Sequence, residues 1–459
     1  MNSDLAPPLK PVPHDSKSRT RVLILAAVIL HIAVTSTVLT VGKLGLMPSQ
    51  FNSNGLATFA SDGLLYQTEV SELRQVLKSQ GVIAWATWPT QLHVRIYSLP
   101  VAALTEGFNV LTIEPVNLIY YLAILILVFK LGEIVFNSRA GLMAAATVAV
   151  WPSFLLHTTQ LLRDPLLIAA VLILMLSLTL ILKLDYGFNR GILTGVAGAA
   201  AIVLIRIVRL PMWSMLWVVV ALAVLLLIGR LVAARQLPIG NVVFACMIIG
   251  VMVITPRFQS VIHNQQVVRT PRTIVPEEVQ QLPVDEQIAA RRRGFNLQMS
   301  SSGEPVASEA GSDIDHGIKF NSLADIVRHV PRAIVVGFFA PFPNMWLSAG
   351  KQVGASGRLL SGFETLLSYM IECLALFGLW RQRKKVAAWF LFLVITIGAV
   401  ALGLVVANVG ALYRLRYPFS ILLVIFGAGG ADYLLRRRAL STKTNHGIGS
   451  NESPGPCHN

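Results

Sequence analysis

The chain has 459 residues, of which 54% are hydrophobic and 13% are charged. Soluble globular proteins carry about 25% charged residues, so the composition excludes a soluble protein and indicates a polytopic membrane protein. The net charge of +15 does not predict nucleic-acid binding, because many of the positive residues stand at the ends of apolar runs. There they set topology and meet anionic lipid headgroups.

Ten apolar runs predict membrane-spanning helices and hence an all-α fold. Each run holds about 20 residues, enough to cross a hydrocarbon core about 30 Å thick. The first run follows Lys17, Arg19 and Arg21 and has no convincing small-residue cleavage site, so we expect an uncleaved first helix. The predicted spans are residues 22–43, 114–135, 141–160, 165–183, 191–206, 211–230, 238–256, 360–380, 386–407 and 417–435.

Basic clusters predict which side of the membrane each span end faces. With ten spans, the clusters at 10–21, 381–385 and 436–438 fall on one face, which the positive-inside rule makes cytoplasmic. We expect a multi-pass protein of the inner (plasma) membrane with both termini in the cytoplasm. The predicted parts are a tail 1–21, a transmembrane core 22–256 with an external loop 44–113, an external region 257–359 with interfacial helices, C-terminal transmembrane helices 360–435 and a tail 436–459.

The predicted external region 257–359 contains several kinds of segment. Residues 276–293 and 323–336 have the pattern of short amphipathic helices lying in the interface. Residues 294–317 are rich in Ser, Gly and acids and predict a mobile loop, because they cannot bury enough apolar surface to order themselves. The stretch FFAPFPNMW at 338–346 fits either a re-entrant segment or an interfacial loop with an aromatic belt.

Three corners between predicted spans place Arg residues on the external face, where the positive-inside rule disfavours them. Each corner has a Pro shortly after it. Guanidinium groups bind phosphate as planar, always-charged forks, so the three corners together favour a phosphate-binding site. The alternative for each residue is a snorkelling anchor or an ion pair with Asp164 and neighbouring acids. The residues are Arg163 beside Asp164, Arg206 with Arg209, and Arg414 with Arg416.

Asp62 in the first external loop is the catalytic candidate. It precedes an apolar pattern that predicts a helix starting near this residue, so it is either a first-turn or capping acid or a general base. Glu69 and Glu72 are weaker candidates, because a water-exposed helix face normally carries such acids.

Other polar residues in apolar surroundings are also candidates. His93 lies in 88–107, which predicts a helix along the outer membrane surface, broken by Pro89 and Pro100. Glu372 stands deep in a span and Glu364 nearer its outer end, where intramembrane acids are functional candidates. No HExxH, paired-His or Cys/His spacing predicts a metal site. A divalent cation held loosely near Asp62 is a further candidate for a cofactor.

A series of features resembles the class C glycosyltransferase superfamily, which includes protein O-mannosyltransferases and lipid A aminoarabinose transferases. A first span leads to an external loop with an acid, Asp62. The resemblance is good over residues 22–185 and weak afterwards. Its further elements are LHVRIYSLP with His93 and Tyr97, FNSRAGLMAAA, WPSFLLHTTQLLRDPLLIA and, near the end, NVGALYRLRYPF.

The resemblance implies an enzyme that moves a sugar from a polyprenyl-phosphate carrier to a glycan, lipid or protein acceptor on the external face. Its partners would be that donor, the acceptor and the membrane lipids. Asp62 would act as base or orient the acceptor. The carrier phosphate would bind to Arg residues. Those carried over are Arg163, Arg206, Arg209, Arg414 and Arg416, with Asp164, His93, Tyr97, Glu69 and Glu364 in support.

The chain also departs from the family pattern. The loop has one Asp where protein mannosyltransferases commonly have paired acids, and His93 is followed by Val94 where the family has Pro. Two other functions therefore stay open. One is a polymerase or ligase of the O-antigen type, which also has external Arg residues but no essential first-loop acid. The other is a lipid-linked sugar transporter, which should expose polar residues along the middle of several spans.

Overall fold

The computed structural model describes fifteen helices and one short antiparallel strand pair. The described residues are 15–104, 107–183, 185–258, 282–299, 305–307, 314–315, 317–347 and 354–448. The helices are α1 Asp15–Lys43, α2 Ser61–Thr87, α3 Leu92–Leu104, α4 Val110–Val135, α5 Ser138–Ala149, α6 Pro152–Thr158, α7 Asp164–Lys183, α8 Phe188–Val208, α9 Trp213–Ala234, α10 Ile239–Ile254, α11 Val284–Asn296, α12 Leu323–Phe339, α13 Gly354–Arg381, α14 Val386–Val405 and α15 Val409–Ile448. The strands are β1 Leu297–Met299 and β2 Pro305–Ala307, and single 3₁₀ turns are Thr58–Ala60, Leu210–Met212, Thr255–Phe258 and Pro343–Met345.

The predicted all-helical membrane architecture is confirmed. Among the described residues, nine helices are long and apolar enough to cross a membrane, and the bent pair α5 and α6 makes a tenth when counted as one span. The prediction of a single continuous helix at 141–160 is wrong. The two helices meet at an angle of 68°, and α6 begins with Pro152, which has no backbone N–H to continue the hydrogen-bonding ladder of α5.

Two predicted span limits also need correction. The helix predicted to begin at residue 360 begins at Gly354, and the helix predicted to begin at 417 begins at Val409. Pro418 lies inside α15. Arg414 and Arg416 therefore stand within the first eight residues of a helix and not in the corner before it. This places their side chains beside those of the neighbouring helices.

Helix α7 forms the centre of the bundle. In the most apolar stretch of 18 residues of α7, 83% of the residues are buried inside the protein. In the same kind of stretch of the other spanning helices, between 28% and 72% of the residues are buried. Apart from Ser177 and Thr179, the sequence of α7 is apolar on every face between Asp164 and Lys183, which is the pattern of a helix surrounded by protein. Twenty residues in a helix rise about 30 Å, so its two ends reach opposite faces of the membrane. We call the face at Asp164 the site face and the face at Lys183 the opposite face.

On the site face, α2 and α3 pack over the ends of the spans. Their buried residues form a cluster with the start of α4 that includes Tyr66, Leu73, Tyr97 and Ile113. Helix α3 confirms the helix predicted within 88–107, but the predicted break at Pro100 is wrong because α3 continues through it. The predicted break at Pro89 is confirmed, since α2 ends before it and α3 begins after it.

The amphipathic helices predicted in the second external region are present with shifted limits, as α11 and α12. Helix α12 lies directly against α14. A Cβ atom at Gly337 would come within 2.1 Å of the Ala399 carbonyl oxygen, and one at Gly403 within 2.1 Å of the Ala333 carbonyl oxygen. Small residues at such crossings let two helix backbones approach closely. The chain then turns at 340–346, after which α13 returns into the bundle.

Parts of the predicted organisation lie outside the described residues. They are residues 1–14 of the first tail, 449–459 of the last tail, 105–106 of the first external loop, 259–281 and 348–353 of the external region, and half of the loop 294–317. The start of the helix predicted at 276–293 falls among them. The described ends of that loop belong to α11 and to the β1–β2 pair, in which Leu297 lies opposite Ala307.

Candidate functional site

Arg414 joins the two aspartates of the site face. Its Nη2 atom lies 2.9 Å from Asp62 Oδ2 and 2.8 Å from Asp164 Oδ2, and its Nε atom lies 3.0 Å from the same Asp164 oxygen. The three residues come from the first turn of α2, the first turn of α7 and the second turn of α15. Residues 352 positions apart in the sequence thus meet at one guanidinium group.

Asp164 is the buried centre of this cluster. Its second oxygen, Oδ1, accepts a hydrogen bond of 3.3 Å from Arg209 Nη1, so one carboxylate pairs with two guanidinium groups. Its side chain is 7% exposed. Asp164 is also the first residue of α7, where the helix dipole favours a negative charge. These contacts compensate for burial of the carboxylate, and they hold the ends of α7, α8 and α15 together.

Asp62 occupies the accessible side of the cluster. Its side chain is 30% exposed, compared with 16% for that of Arg414. Helix α2 begins at Ser61, which confirms the predicted start, but no side chain caps this end. Asp62 therefore does not cap the helix, but it does lie in the first turn of α2, as the other half of that alternative predicted. Asp62 instead presents a carboxylate that is held by one Arg and still reaches solvent.

Arg163 adds a third positive charge. Among the described residues no carboxylate lies in salt-bridge contact with it, and its buried Nε atom has no hydrogen-bond partner. Its charge acts on both Tyr66 in α2 and His93 in α3, and it directly precedes Asp164 in the chain. Arg163, Arg209 and Arg414 together carry +3 and the two aspartates −2, which leaves the cluster with one excess positive charge.

His93 lies buried beneath this cluster against Tyr66. The ring centroids are 4.4 Å apart in an edge-to-face arrangement, and His93 Nε2 has no partner among the described residues. Burial, and then the Arg163 charge, lower the pKa of His93 to about 3, while Asp164 opposes the shift. His93 is therefore neutral at physiological pH and forms part of the packing between α2 and α3.

This burial predicts a pH dependence of stability. In the unfolded chain His93 has a pKa of about 6.5, and the folded pKa is about 3, so between these values the unfolded state binds the extra proton. The contribution of neutral His93 to the free energy of unfolding is therefore fully present above pH 6.5 and is lost as the pH drops toward 3. We expect His93→Gln to flatten the decline in thermal unfolding temperature over this window, measured on purified protein. An unchanged slope in the variant would contradict the assignment.

Tyr97 supports the backbone that carries Arg163. Its hydroxyl donates to Asn117 Oδ1 at 2.6 Å and lies 3.2 Å from the Leu162 carbonyl oxygen. Asn117 Nδ2 in turn contacts the Gln160 carbonyl oxygen at 3.4 Å. These buried contacts fix the turn between α6 and α7. Tyr97 thus acts by positioning, and it does not touch the two aspartates.

Three of the predicted candidates have contacts away from the aspartates. The guanidinium of Arg206 lies 4.4 Å from the centre of the Trp213 ring. Arg416 Nη1 donates to the carbonyl oxygens of Phe338 and Ala340 at 2.9 and 2.7 Å, which fixes the turn after α12. Glu69 accepts a hydrogen bond of 3.2 Å from Thr90.

Glu364 belongs to a second polar cluster next to the first. It accepts hydrogen bonds from the Ser153 backbone N–H at 2.6 Å and from the Tyr413 hydroxyl. Tyr417 donates to Ser153 Oγ at 3.0 Å, and its hydroxyl lies 3.1 Å from His157 Nδ1. Tyr413 adjoins Arg414 in the sequence, so the two clusters share the start of α15.

Sequence reasoning missed Ser153, His157, Tyr413 and Tyr417. The available signal was their position within the WPSFLLHTTQLLRDP and ALYRLRYPF segments, and the spacing of four residues between the two tyrosines, which places them on one helix face. Glu372, the other acid considered in this span, lines a small cavity together with Arg416.

Metal ligands are not grouped in the part of the chain that the structure describes. There, no set of three or more His, Cys, Asp or Glu side chains is arranged to hold a metal ion. The site thus consists of guanidinium groups, carboxylates and hydroxyls. Such a set can bind an anion through the excess positive charge and can accept a proton at the accessible carboxylate of Asp62.

No known family model matches this chain, and no curated protein sequence matches it either.

Proposed function

We propose that the protein is an integral-membrane glycosyltransferase that moves a sugar from a polyprenyl-phosphate carrier to an acceptor hydroxyl. The observation that carries this proposal is the Asp62–Arg414–Asp164 cluster, with Arg163 and Arg209 beside it, at the end of the spanning helices. A phosphate at the headgroup level and an acceptor in water would meet at this depth. Support also comes from the resemblance of residues 22–185 to class C glycosyltransferases.

The charge of the cluster fits the binding of such a donor. A sugar linked to a polyprenyl phosphate carries one negative charge on its phosphodiester, and the cluster has one excess positive charge. Arg163 has a buried Nε without a partner among the described residues and is the natural first contact for a phosphate oxygen. Arg209 and Arg414 would reinforce it while remaining paired with Asp164.

Asp62 would serve as general base in the transfer. The acceptor oxygen attacks the anomeric carbon of the sugar, the bond from that carbon to the phosphate oxygen breaks, and the hydroxyl proton passes to Asp62. The leaving polyprenyl phosphate gains one negative charge in this step. Protonation of Asp62 removes one negative charge from the cluster at the same time, so the stabilisation by the fixed Arg charges is strongest as the leaving group departs.

The proposed orientation places the site face outside the cytoplasm. Under the positive-inside rule, the basic runs at 381–385 and 436–438 face the cytoplasm, and they lie at the opposite face from Asp164 because α13 and α15 end there. In this orientation both termini are cytoplasmic. The acceptor is then a glycan, lipid or protein on the periplasmic side of the plasma membrane.

Arg163→Gln tests the donor site. We expect it to weaken donor binding by about 10- to 100-fold, the usual effect of losing a hydrogen bond to a charged group. In a deletion strain complemented with the variant, mass spectrometry should show one sugar depleted from a surface glycan and the corresponding polyprenyl-phosphate sugar accumulating. Membrane levels of the protein are checked by immunoblot.

The matched control is Arg190→Gln, which removes an exposed Arg at the start of α8 on the opposite face. It should restore the wild-type glycan profile. A wild-type profile for Arg163→Gln at equal protein level would contradict the donor site. A glycan of normal sugar composition but reduced chain length would instead favour a polymerase or ligase.

A further inference from the structure

A second polar site lies at the other end of α7, on the opposite face. A cavity of about 240 Å³ opens where α4, α7 and α9 end and α14 begins. Lys183, Arg230 and Lys385 line it together with the side chain of Thr179 and the apolar Leu182 and Ala388. Because α7 is about 30 Å long, this cavity is separate from the Asp62 cluster.

The cavity carries an excess of positive charge. Lys183 and Lys385 donate to the carbonyl oxygens of Ile134 and Val135, at 2.5 and 3.4 Å. Both residues line this cavity, and burial, and then the Lys183 charge, lower the pKa of Lys385. In these contacts each ammonium group donates only to an uncharged carbonyl oxygen at the end of α4. These contacts therefore do not neutralise the charge of either ammonium group.

Arg230 completes the ring of cations. It donates to the Ile181 carbonyl oxygen at 2.9 Å and pairs with Asp185 Oδ1 at 2.5 Å. The Asp185 side chain is 53% exposed, and a pair of this kind is screened by water and salt. The three cations and this carboxylate leave an excess charge of +2 at the cavity.

A buried hydroxyl marks the inner end of the cavity. Thr179 is fully buried, and its Oγ1 atom has no hydrogen-bond partner among the described residues. Buried hydroxyls normally bond to a carbonyl or another polar group. Thr179 lies four residues before Lys183, so both occupy the same face of α7. A bound molecule with acceptor oxygens would accept hydrogen bonds from the Thr179 hydroxyl and from the ammonium groups of Lys183 and Lys385.

We propose that this cavity binds the phosphate of an anionic lipid from the leaflet at the opposite face. The cations stand at the ends of spanning helices, where lipid phosphates lie. Leu182, Ala388 and the partly exposed Val386 supply apolar walls for the start of an acyl chain. A free anion would use the cations but leave these walls uncovered. This inference does not depend on the proposed transferase activity.

The test uses the full-length protein purified in a neutral detergent. The probes are phosphatidylglycerol, phosphatidylcholine and inorganic phosphate, each added separately while thermal unfolding is followed. Phosphatidylglycerol should raise the unfolding temperature of the wild type, since a ligand that binds only the folded state stabilises it. Phosphatidylcholine and phosphate should not. An equal shift with inorganic phosphate would overturn the lipid assignment in favour of a free-anion site.

Two variants locate the binding. Lys183→Gln combined with Lys385→Gln should weaken phosphatidylglycerol binding by about 10-fold or more, whereas Lys130→Gln with Lys384→Gln removes the same charge from exposed positions outside the cavity and should not. Thr179→Val removes a hydroxyl that has no described partner and should preserve the fold while reducing the shift. A wild-type shift in both the double Lys variant and Thr179→Val would overturn the proposal.

Discussion

Asp62→Asn is expected to lower sugar transfer by about 100- to 10,000-fold, the usual contribution of a general base. Asn has nearly the same shape as Asp but does not accept the acceptor proton. The fold should survive, because the side chain is 30% exposed and Arg414 keeps two hydrogen bonds to Asp164. The loss should therefore appear in activity and not in the amount of protein.

The measurement is the glycan profile of a complemented deletion strain, together with transfer from membrane-bound donor in isolated membranes. Glu69→Gln is the matched control, since Glu69 lies two helical turns further along α2 and bonds to Thr90. It should leave transfer close to that of the wild type. Full transfer by Asp62→Asn would show that the base assignment is wrong and would favour a polymerase, ligase or transporter.

The spanning helices were predictable from the sequence because burial in lipid imposes long apolar runs. The bend between α5 and α6 was not, although Pro152 marks it. The run remains apolar through the bend, and Pro occurs in unbroken spans too, as Pro418 in α15 shows. Whether a Pro bends or breaks a helix depends on the neighbours that accept the freed backbone groups, and these neighbours are distant in sequence.

The candidate site was predictable as a set of residue types and not as a set of contacts. Asp62, Arg163 and Arg414 were selected because charges at a membrane boundary are costly without a task. Nothing in the local sequence distinguishes Arg414 from Arg416, which are two positions apart. On a helix this spacing turns the side chains about 200° apart, so Arg414 meets the aspartates and Arg416 meets the turn after α12.

Asp164→Asn is expected to destabilise the protein by about 3–5 kcal/mol, the usual cost of breaking a buried ion pair by removing one partner. Asp164 is 5% exposed and pairs with both Arg209 and Arg414. Without its charge, the cations of the cluster would have only Asp62 as a counter-charge. Their repulsion would act at the junction of α7, α8 and α15 on the site face.

Asp185→Asn provides the comparison, because Asp185 also pairs with an Arg but is 53% exposed. Such surface pairs contribute about 0–1 kcal/mol. Unfolding in a denaturing detergent, followed by circular dichroism, should therefore separate the two variants by several kcal/mol. Equal stability would show that the three Arg residues are neutralised by something other than Asp164. Asp62 and Asp164 both pair with the guanidinium group of Arg414. Loss of the charge on the accessible Asp62 should nevertheless abolish activity, whereas loss of the charge on the buried Asp164 should destabilise the fold.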